Sequence, residues 1–511
     1  MAITVDKDQY YLIFFFFILL ICLISSKLYQ QIFHKPTTHL NLPPSPPALP
    51  IIGHLHLLTP ALYNSFFNLS SKYGPLLYLH LGAARCLLVS SASMASEVFK
   101  THDLAFSSRP LFAFADKLLY GTSGFITAPY GDYWRFMKKL CVTELLGVKQ
   151  LVRSRTIRHK ELRRLVAKVI EKATSKDQVL DVGGELMRLT NNVTCRMVMS
   201  TRCSGDDDDD GEAEKCKELV KESFELAAKL CFGDVLGPLK KLGFWIYGKQ
   251  ALNVSKRYDE LLEKVLKEHE EGDGEREGDE DLMDILLKVY KDKKAEVKIT
   301  RIHIKAFFLD LFIAGTDTTA EAMQWTIAEL LNHPHAFKKV RQEIESVIGR
   351  TRLVEETDIP SLPYLQAVVK EALRLYPPGP VTTRECRQKC RIKGFDIPEK
   401  TAVAINLYAI MRDPDAWENP DEFRPERFLI PSRDQEQKLF NFVPFGGGRR
   451  GCPGSMLAFA VMNTVIAAMV QCFDWNVNGD KVDMQPGSGM SMSMVQPLLC
   501  QPVVYFNPFV A

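Results

Sequence analysis

Apolar and polar positions divide the chain into a short leader and a long, mostly helical body. From Tyr10 to Ile24 the residues are apolar and uncharged, and with Ser25 and Ser26 the run reaches the short end of a membrane-crossing helix. Pro43-Pro44-Ser45-Pro46-Pro47-Ala48-Leu49-Pro50 follows, stiff and extended like polyproline II. Period-two stretches come next: Leu76 to Leu81 and Cys86 to Ser90 read as strands around a turn at Gly82. From about Phe99 to Ile348 helical periodicity dominates, and no internal repeat interrupts it. Thr300 to Leu331 runs without proline or an internal cap, with Thr300 as N-cap and His333-Pro334 as its stop. A last helix-like apolar run spans Met456 to Val470. The pattern predicts a mainly α chain with small β-sheets, divided into an anchor at 1–35, a hinge at 36–50 and one large domain at 51–511.

Composition narrows the class. Hydrophobic residues make up 46% of the 511, ample for a large core. Lys+Arg 64 against Asp+Glu 62 leaves +2, so no basic field argues for nucleic acid. The 12 cysteines include no CxxC; Cys386 and Cys390 are the closest pair, and a zinc site wants two more such ligands. A cleaved signal peptide would need a basic leader, whereas Asp6-Lys7-Asp8 stands there. Lys27 and Lys35 follow the apolar run and Lys7 precedes it, which places the large domain on the cytoplasmic side. Reduced thiols are then expected, and Asn68, Asn192 and Asn253 stay unglycosylated. Asp206 to Asp210 and Glu270 to Asp281 read as solvated acidic loops.

The chemistry concentrates in Pro444-Phe445-Gly446-Gly447-Gly448-Arg449-Arg450-Gly451-Cys452-Pro453-Gly454. A cysteine binds metal as its thiolate. Glycines let a loop close tightly around the sulfur. A helix starting just after it favours the anion, and an arginine can pair with a carboxylate through a two-bond fork. Most buried cysteines are only small hydrophobes. Here, however, the order Phe-x-x-Gly-x-Arg-x-Cys-x-Gly resembles the haem-ligand loop of the cytochromes P450 at every fixed position. A second departure lies in the long helix. Ala314-Gly315-Thr316-Asp317-Thr318-Thr319 puts poor helix formers in a helix interior. Ala314 and Gly315 remove bulk, and threonine hydroxyls can bond back to carbonyls and distort the ladder. A buried helix at a tight crossing would look the same, but the stretch is similar to the oxygen-binding motif of the P450 central helix. Glu371-Ala372-Leu373-Arg374 with Pro425-Glu426-Arg427-Phe428 resembles the family's interlocked structural triad.

The resemblance is to plant microsomal P450s of the A type, and it covers nearly the whole chain. It implies the P450 fold behind an N-terminal anchor helix, in the endoplasmic reticulum membrane as a single-pass protein. It implies haem b with Cys452 as axial ligand to the iron, and Phe445, Arg450, Gly454, Ala314 and Gly315 around the cofactor. Trp134 and Lys138, four apart on one helix face, stand where the family has Trp-x-x-x-Arg against a propionate; lysine keeps the charge and loses the fork. Arg384, after Pro377-Pro378-Gly379-Pro380, matches a propionate-binding arginine. Asp317 and Thr318 are the implied proton-handling pair. Electrons would come from NADPH through NADPH–cytochrome P450 reductase, with dioxygen and a small lipophilic substrate as the other partners. Tyr130 to Leu140 and Leu189 to Asn192 look like the clan that oxidises flavonoids, isoflavonoids and triterpenes. Recognition stretches fall at Leu111 to Ala128, at Phe307, Phe308, Leu311 and Ile313, and at Val381 to Thr383 with Ser488 to Met492. They are mostly apolar, which favours a pentacyclic triterpenoid such as a friedelin-like or amyrin-like skeleton, with a methyl oxidised stepwise to an acid as one outcome. A flavonoid or isoflavonoid hydroxylase, or a flavone synthase, is the alternative. A reductase-independent rearranging P450 and a non-catalytic haem-binding protein are rivals of another class, and the intact Asp317-Thr318 pair argues against both.

Overall fold

The computed structural model describes residues 40–112, 118–175, 179–200, 240–271, 281–430, 439–477, 479–487 and 489–510, with shorter pieces before and between them. Within these, helices α1 (Leu62–Tyr73), α2 (Asp132–Leu140), α3 (Arg155–Thr174), α4 (Val182–Met199), α5 (Lys240–Glu271), α6 (Leu282–Lys291), α7 (Arg301–Asn332), α8 (Pro334–Val347), α9 (Pro363–Leu375) and α10 (Ser455–Cys472) form the body. The Asp206–Asp210 run and residues 272–280 lie outside the described residues.

The strands are β1 (Leu76–Leu81), β2 (Ala84–Val89), β3 (Leu180–Asp181), β4 (Val381–Glu385), β5 (Cys390–Ile392), β6 (Phe395–Ile397), β7 (Ala402–Asn406), β8 (Phe473–Val477) and β9 (Leu499–Val504). They make a four-stranded sheet β1-β2-β7-β4, a three-stranded sheet β3-β9-β8 and the pair β5-β6. β1 and β2 form the expected hairpin, with Leu76 opposite Val89 and Leu81 opposite Ala84. Its alternation does not separate core from solvent. Leu76 and Tyr78 enter one apolar cluster with Phe99 and Phe106, while Leu77 and Leu79 enter another with Phe66 and Leu69. Both faces of the strand are therefore core.

α7 crosses the domain as its longest buried element. Thr300 caps it in a reciprocal box: Thr300 Oγ1 accepts from the His303 amide at 3.4 Å, and His303 Nδ1 accepts from the Thr300 amide at 3.0 Å. The interior threonines bond back as expected, Thr318 Oγ1 donating to the Ala314 carbonyl at 2.7 Å. The expected distortion does not follow, and residues 301–332 are α-helical throughout. α4 supplies the reason, since it packs along this stretch. Thr316 Oγ1 lies 2.8 Å from the Phe312 carbonyl and 3.2 Å from Asn191 Oδ1.

α10 is the helix among the described residues that is long and apolar enough to cross a membrane. It is instead the hub of the largest core, packed with Val166 and Val169 of α3, Met323 and Ile327 of α7, Val340 of α8 and Val368 of α9. A helix apolar on all sides is one enclosed on all sides. The described part of the leader, residues 11–12, 14–21 and 24–25, is helical with Phe14 to Phe17 exposed. Cys386 and Cys390 carry free thiols. The expectation of reduced thiols fails at Cys195, which is buried in α4 and disulfide-bonded, its partner lying outside the described residues.

Under α9 a carboxylate organises three segments. Arg374 donates to Glu371 through Nε (2.8 Å) and Nη2 (2.9 Å), and Arg427 Nε donates to the same carboxylate at 2.8 Å. Arg374 also donates to the carbonyls of Met411 and Pro420. Both side chains of the Glu371–Arg374 pair are fully buried. Glu371→Ala should therefore cost about 3–5 kcal/mol, because it leaves a buried guanidinium without its counter-charge. A denaturant midpoint giving a loss under about 1 kcal/mol would show that the pair is dispensable.

Candidate active site

The cysteine loop closes on itself before α10 begins. The Cys452 amide donates to the Phe445 carbonyl at 3.0 Å, and the Gly451 amide to the Gly448 carbonyl at 3.0 Å. Gly446 (φ 68°) and Gly448 (φ 64°) take the left-handed conformation that such a closure needs. At Gly448 there is a second reason: a Cβ would stand 2.4 Å from Asp103 Oδ1 and 2.8 Å from the Phe99 carbonyl. The Asp103 carboxylate instead pairs with the exposed Arg449 at 3.0 Å, so the two neighbouring arginines part company. Arg450 turns inward. Its Nε donates to the Ser107 carbonyl (2.7 Å), its Nη2 to the Ala128 carbonyl (2.6 Å), and its guanidinium lies 4.3 Å from the Trp134 ring centre.

Cys452 opens onto an internal cavity of about 420 Å³ and not onto bulk solvent. The loop and the first turns of α10 make one wall, and α7 makes the opposite one with Asp310, Leu311, Ala314, Gly315, Thr318 and Thr319. Burial pushes the Cys452 thiol up, while the Gly454 and Ser455 amides and the cations Lys138 and Arg109 draw it down toward the thiolate.

Trp134, Ala314, Gly315, Thr318, Phe445, Arg450, Cys452 and Gly454 all reach this one cavity. Three other predicted residues stand behind its wall. Lys138 Nζ donates to the Gly451 carbonyl at 2.9 Å and so braces the cysteine loop. Arg384 donates to Thr382 Oγ1 (3.0 Å), the Thr383 carbonyl (2.8 Å) and, at 3.4 Å, the Gly447 carbonyl. Asp317 is half-buried beside Thr318, and desolvation raises its carboxyl to about 6. Of the predicted recognition residues, Phe125, Ile126, Phe307, Leu311, Val381 and Thr382 line the cavity. Residues 113, 114, 116, 117 and 488 lie outside the described residues.

Two further residues in the wall escaped the sequence reading. Arg109 is half-buried on the cavity wall with its Nε closed off from solvent, and Asp310 bears on it from α7. Asp310 accepts from the Ile126 amide at 3.0 Å and thereby pins the segment before α2 to α7. Desolvation still raises it to about 7, against the opposing pull of the Ile126 and Phe125 amides and of Arg109. The signal available was one acid inside Ala306-Phe307-Phe308-Leu309-Asp310-Leu311-Phe312. Arg109, in an irregular loop, offered none.

The charge balance tests what the cavity can hold. Burial depresses Arg109, Arg384 and Arg450, Arg450 to about 9; Arg109 and Arg450 depress Arg384 further, Arg109 and Arg387 depress Arg450, and Asp310 opposes the shift at Arg109. Arg109 Nε and Trp134 Nε1 are buried without a partner among the described residues. An uncompensated cluster of this kind fits a ligand with two carboxylates. The thiol offers a soft donor to a metal. A haem meets both demands at once.

The comparisons agree with this geometry. The family model described as Cytochrome P450 matches residues 43–501. Cytochrome P450 705A5 of Arabidopsis thaliana is 50% identical, with 98% of each chain covered. Two Glycine max proteins, 3,9-dihydroxypterocarpan 6A-monooxygenase and beta-amyrin 24-hydroxylase, are each 41% identical; the match covers 96% of this chain, with 98% of the first and 97% of the second. A zebrafish cytochrome P450 solved with abiraterone superposes with a TM-score of 0.73 at 28% identity, over 88% of this chain and 99% of that one.

Cys452→Ala should abolish the haem-thiolate spectrum of the purified protein; an unaltered reduced-CO band would mean that another residue holds the iron. Asp310 gives a pH dependence. Its folded-state value lies above the usual carboxylate value, so its contribution to stability is full below about pH 4 and lost as the pH climbs through about 7. Asp310→Asn should flatten that part of the stability–pH curve, and an unchanged slope in the variant would assign the dependence elsewhere.

Proposed function

The chain belongs to the plant cytochromes P450 and is a monooxygenase with haem as its cofactor, and from that premise we propose that it hydroxylates a pentacyclic triterpenoid, friedelin-like or amyrin-like, using dioxygen and electrons passed from NADPH through a reductase. The apolar character of the cavity beyond the cysteine loop carries the reading. Phe125, Ile126, Phe307, Leu311 and Val381 offer contact without hydrogen bonds. The polar groups there are mostly engaged: Asp310 with the Ile126 amide, Thr318 with the Ala314 carbonyl, Thr382 with Arg384. A phenolic substrate would lose hydrogen bonds to water and regain few. A flavonoid-class substrate remains the second reading, because a pterocarpan monooxygenase and a β-amyrin hydroxylase are equally similar to this chain.

Haem bound here supplies reductive activation of dioxygen, so that one oxygen atom enters a C–H bond. In this proposal Cys452 Sγ would hold the haem iron as its thiolate, and the Gly454 and Ser455 amides would favour that anion against the pull of burial. Arg109 and Arg450 on the cavity wall, with Arg384 behind it, would supply positive charge to the propionates, and the unpartnered Trp134 Nε1 would donate a hydrogen bond. Lys138 acts through the Gly451 carbonyl and not by direct contact. Ala314 and Gly315 keep α7 clear of the reacting volume. Asp317, raised to about 6, can take and release a proton at its carboxylate near neutral pH. Thr318 Oγ1 spends its proton on the Ala314 carbonyl, which leaves its lone pairs free to accept from a group in the cavity. We further propose that residues 1–35 anchor the protein in the endoplasmic reticulum membrane, that 36–50 form a stiff hinge, and that 51–511 are the catalytic domain on the cytoplasmic side.

The test is product formation in microsomes carrying this chain and a reductase, with friedelin, β-amyrin and a set of flavanones, with and without NADPH. NADPH-dependent triterpene alcohol or acid is expected; a flavanone product would overturn the substrate class. On the productive substrate, Thr318→Ala should lower product per NADPH consumed by about tenfold or more. Unchanged coupling would remove Thr318 from proton handling.

A further inference from the structure

Glu321 stands one helical turn beyond Asp317 on the same face of α7, and it does not line the cavity. Its Oε1 accepts from Ser491 Oγ at 2.9 Å. Its Oε2 has no access to solvent and no hydrogen-bond partner among the described residues. Such a carboxylate would be costly to keep ionised and is much less so as an acid. The partner is held firmly. The Met492 amide donates to the Pro378 carbonyl at 3.0 Å. Trp325 Nε1 donates to the Met492 carbonyl at 2.6 Å while its ring stacks on Tyr376 at 4.1 Å. On the other side of Ser491, Gly489 and Met490 are exposed. The surface turn thus reaches Glu321 through Ser491, and Glu321 stands one helical turn from Asp317.

We propose that Glu321 is the proton reserve of this site: it carries a proton in the resting enzyme, passes it to Asp317 along α7, and is refilled from solvent water at the Ser491 turn. The inference rests on the monooxygenase reading of Asp317 and Thr318. In the step, an O–H bond breaks at Glu321 and one forms at the Asp317 carboxylate; the charge moves to Glu321, and no electrons are transferred. Burial raises Glu321 to about 8 and Asp317 to about 6, so around neutral pH the reserve is full while Asp317 is empty and able to receive. Asp317 is the charged group that bears on Glu321, and Ser491 is its polar partner from the facing turn. Glu321 acts through Asp317 and touches no reacting atom.

The test compares the holoenzyme with Glu321→Gln, Glu321→Asp and Ser491→Ala, with Thr318→Ala as control. Glutamine keeps the acceptor for Ser491 and cannot deliver a carboxyl proton. In the wild type at pH 7, infrared spectra should show the carbonyl stretch of a buried protonated carboxyl that shifts in D2O and disappears in Glu321→Gln. Product per NADPH should fall about threefold or more in Glu321→Gln, with an enlarged solvent isotope effect, and recover at least half-way in Glu321→Asp. Ser491→Ala should keep the infrared band and lose less coupling. A wild type without that band would overturn the proposal, whether or not the variants fold. So would normal coupling in Glu321→Gln while Thr318→Ala is uncoupled. If Thr318→Ala also couples normally, the proton-handling reading of α7 falls and this inference falls with it; the infrared band alone would not rescue it.

Discussion

Putting a metal-binding thiol and three guanidinium groups into one apolar interior is the constraint from which much of the molecule follows. None of these charges can be left to solvate itself, and no described carboxylate sits among the arginines in equal number. The chain meets the demand locally wherever it can. Arg450 is held by two carbonyls and a tryptophan face, Arg384 by its own strand, and Lys138 by the loop it braces. What these contacts leave over is a cationic excess, which a ligand with two carboxylates would neutralise. A ligand that brings this counter-charge would link its binding to the stability of the fold.

The rigid parts of the fold are arranged around that excess. α10 begins at the sulfur and runs straight into the main core, so the ligand loop inherits the rigidity of the most enclosed helix. α7 faces it across the cavity and is tied to α4 through Thr316 and Asn191. The Glu371 cluster joins α9 to the segment that precedes the cysteine loop. Asp310 fastens the loop before α2 to α7. Each joint uses a polar group that is buried and satisfied, which fixes register in a way that apolar packing alone does not.

The sequence was most informative where the chemistry is local. Phe445 to Gly454 could be read directly, because a loop that surrounds one atom is written in consecutive residues. The hairpin of β1 and β2 and the cap at Thr300 were legible for the same reason. Contacts between distant segments were not. Arg109 and Asp310 are some two hundred positions apart in the chain, and neither has a period or spacing that points to the other. Lys138 could be placed on the correct helix face, but its bond to the Gly451 carbonyl depends on a loop more than three hundred residues away. α10 has the composition of a membrane span, and only the helices packed around it show that it is core. The threonines of α7 suggested a distorted ladder, whereas residues 301–332 stay α-helical with α4 packed along them.

Gly315 adds a last point. A methyl group there would meet nothing closer than Thr194 Oγ1 at 3.5 Å, an ordinary contact. Its backbone is not left-handed, so neither packing nor conformation demands glycine. Alanine would in fact favour the helix by about 1 kcal/mol. The chain therefore gives up helix stability at a position that borders the reacting volume. Position 315 is thus independent of the joints that hold the fold together: one methyl added there would narrow the edge of the cavity and disturb none of them.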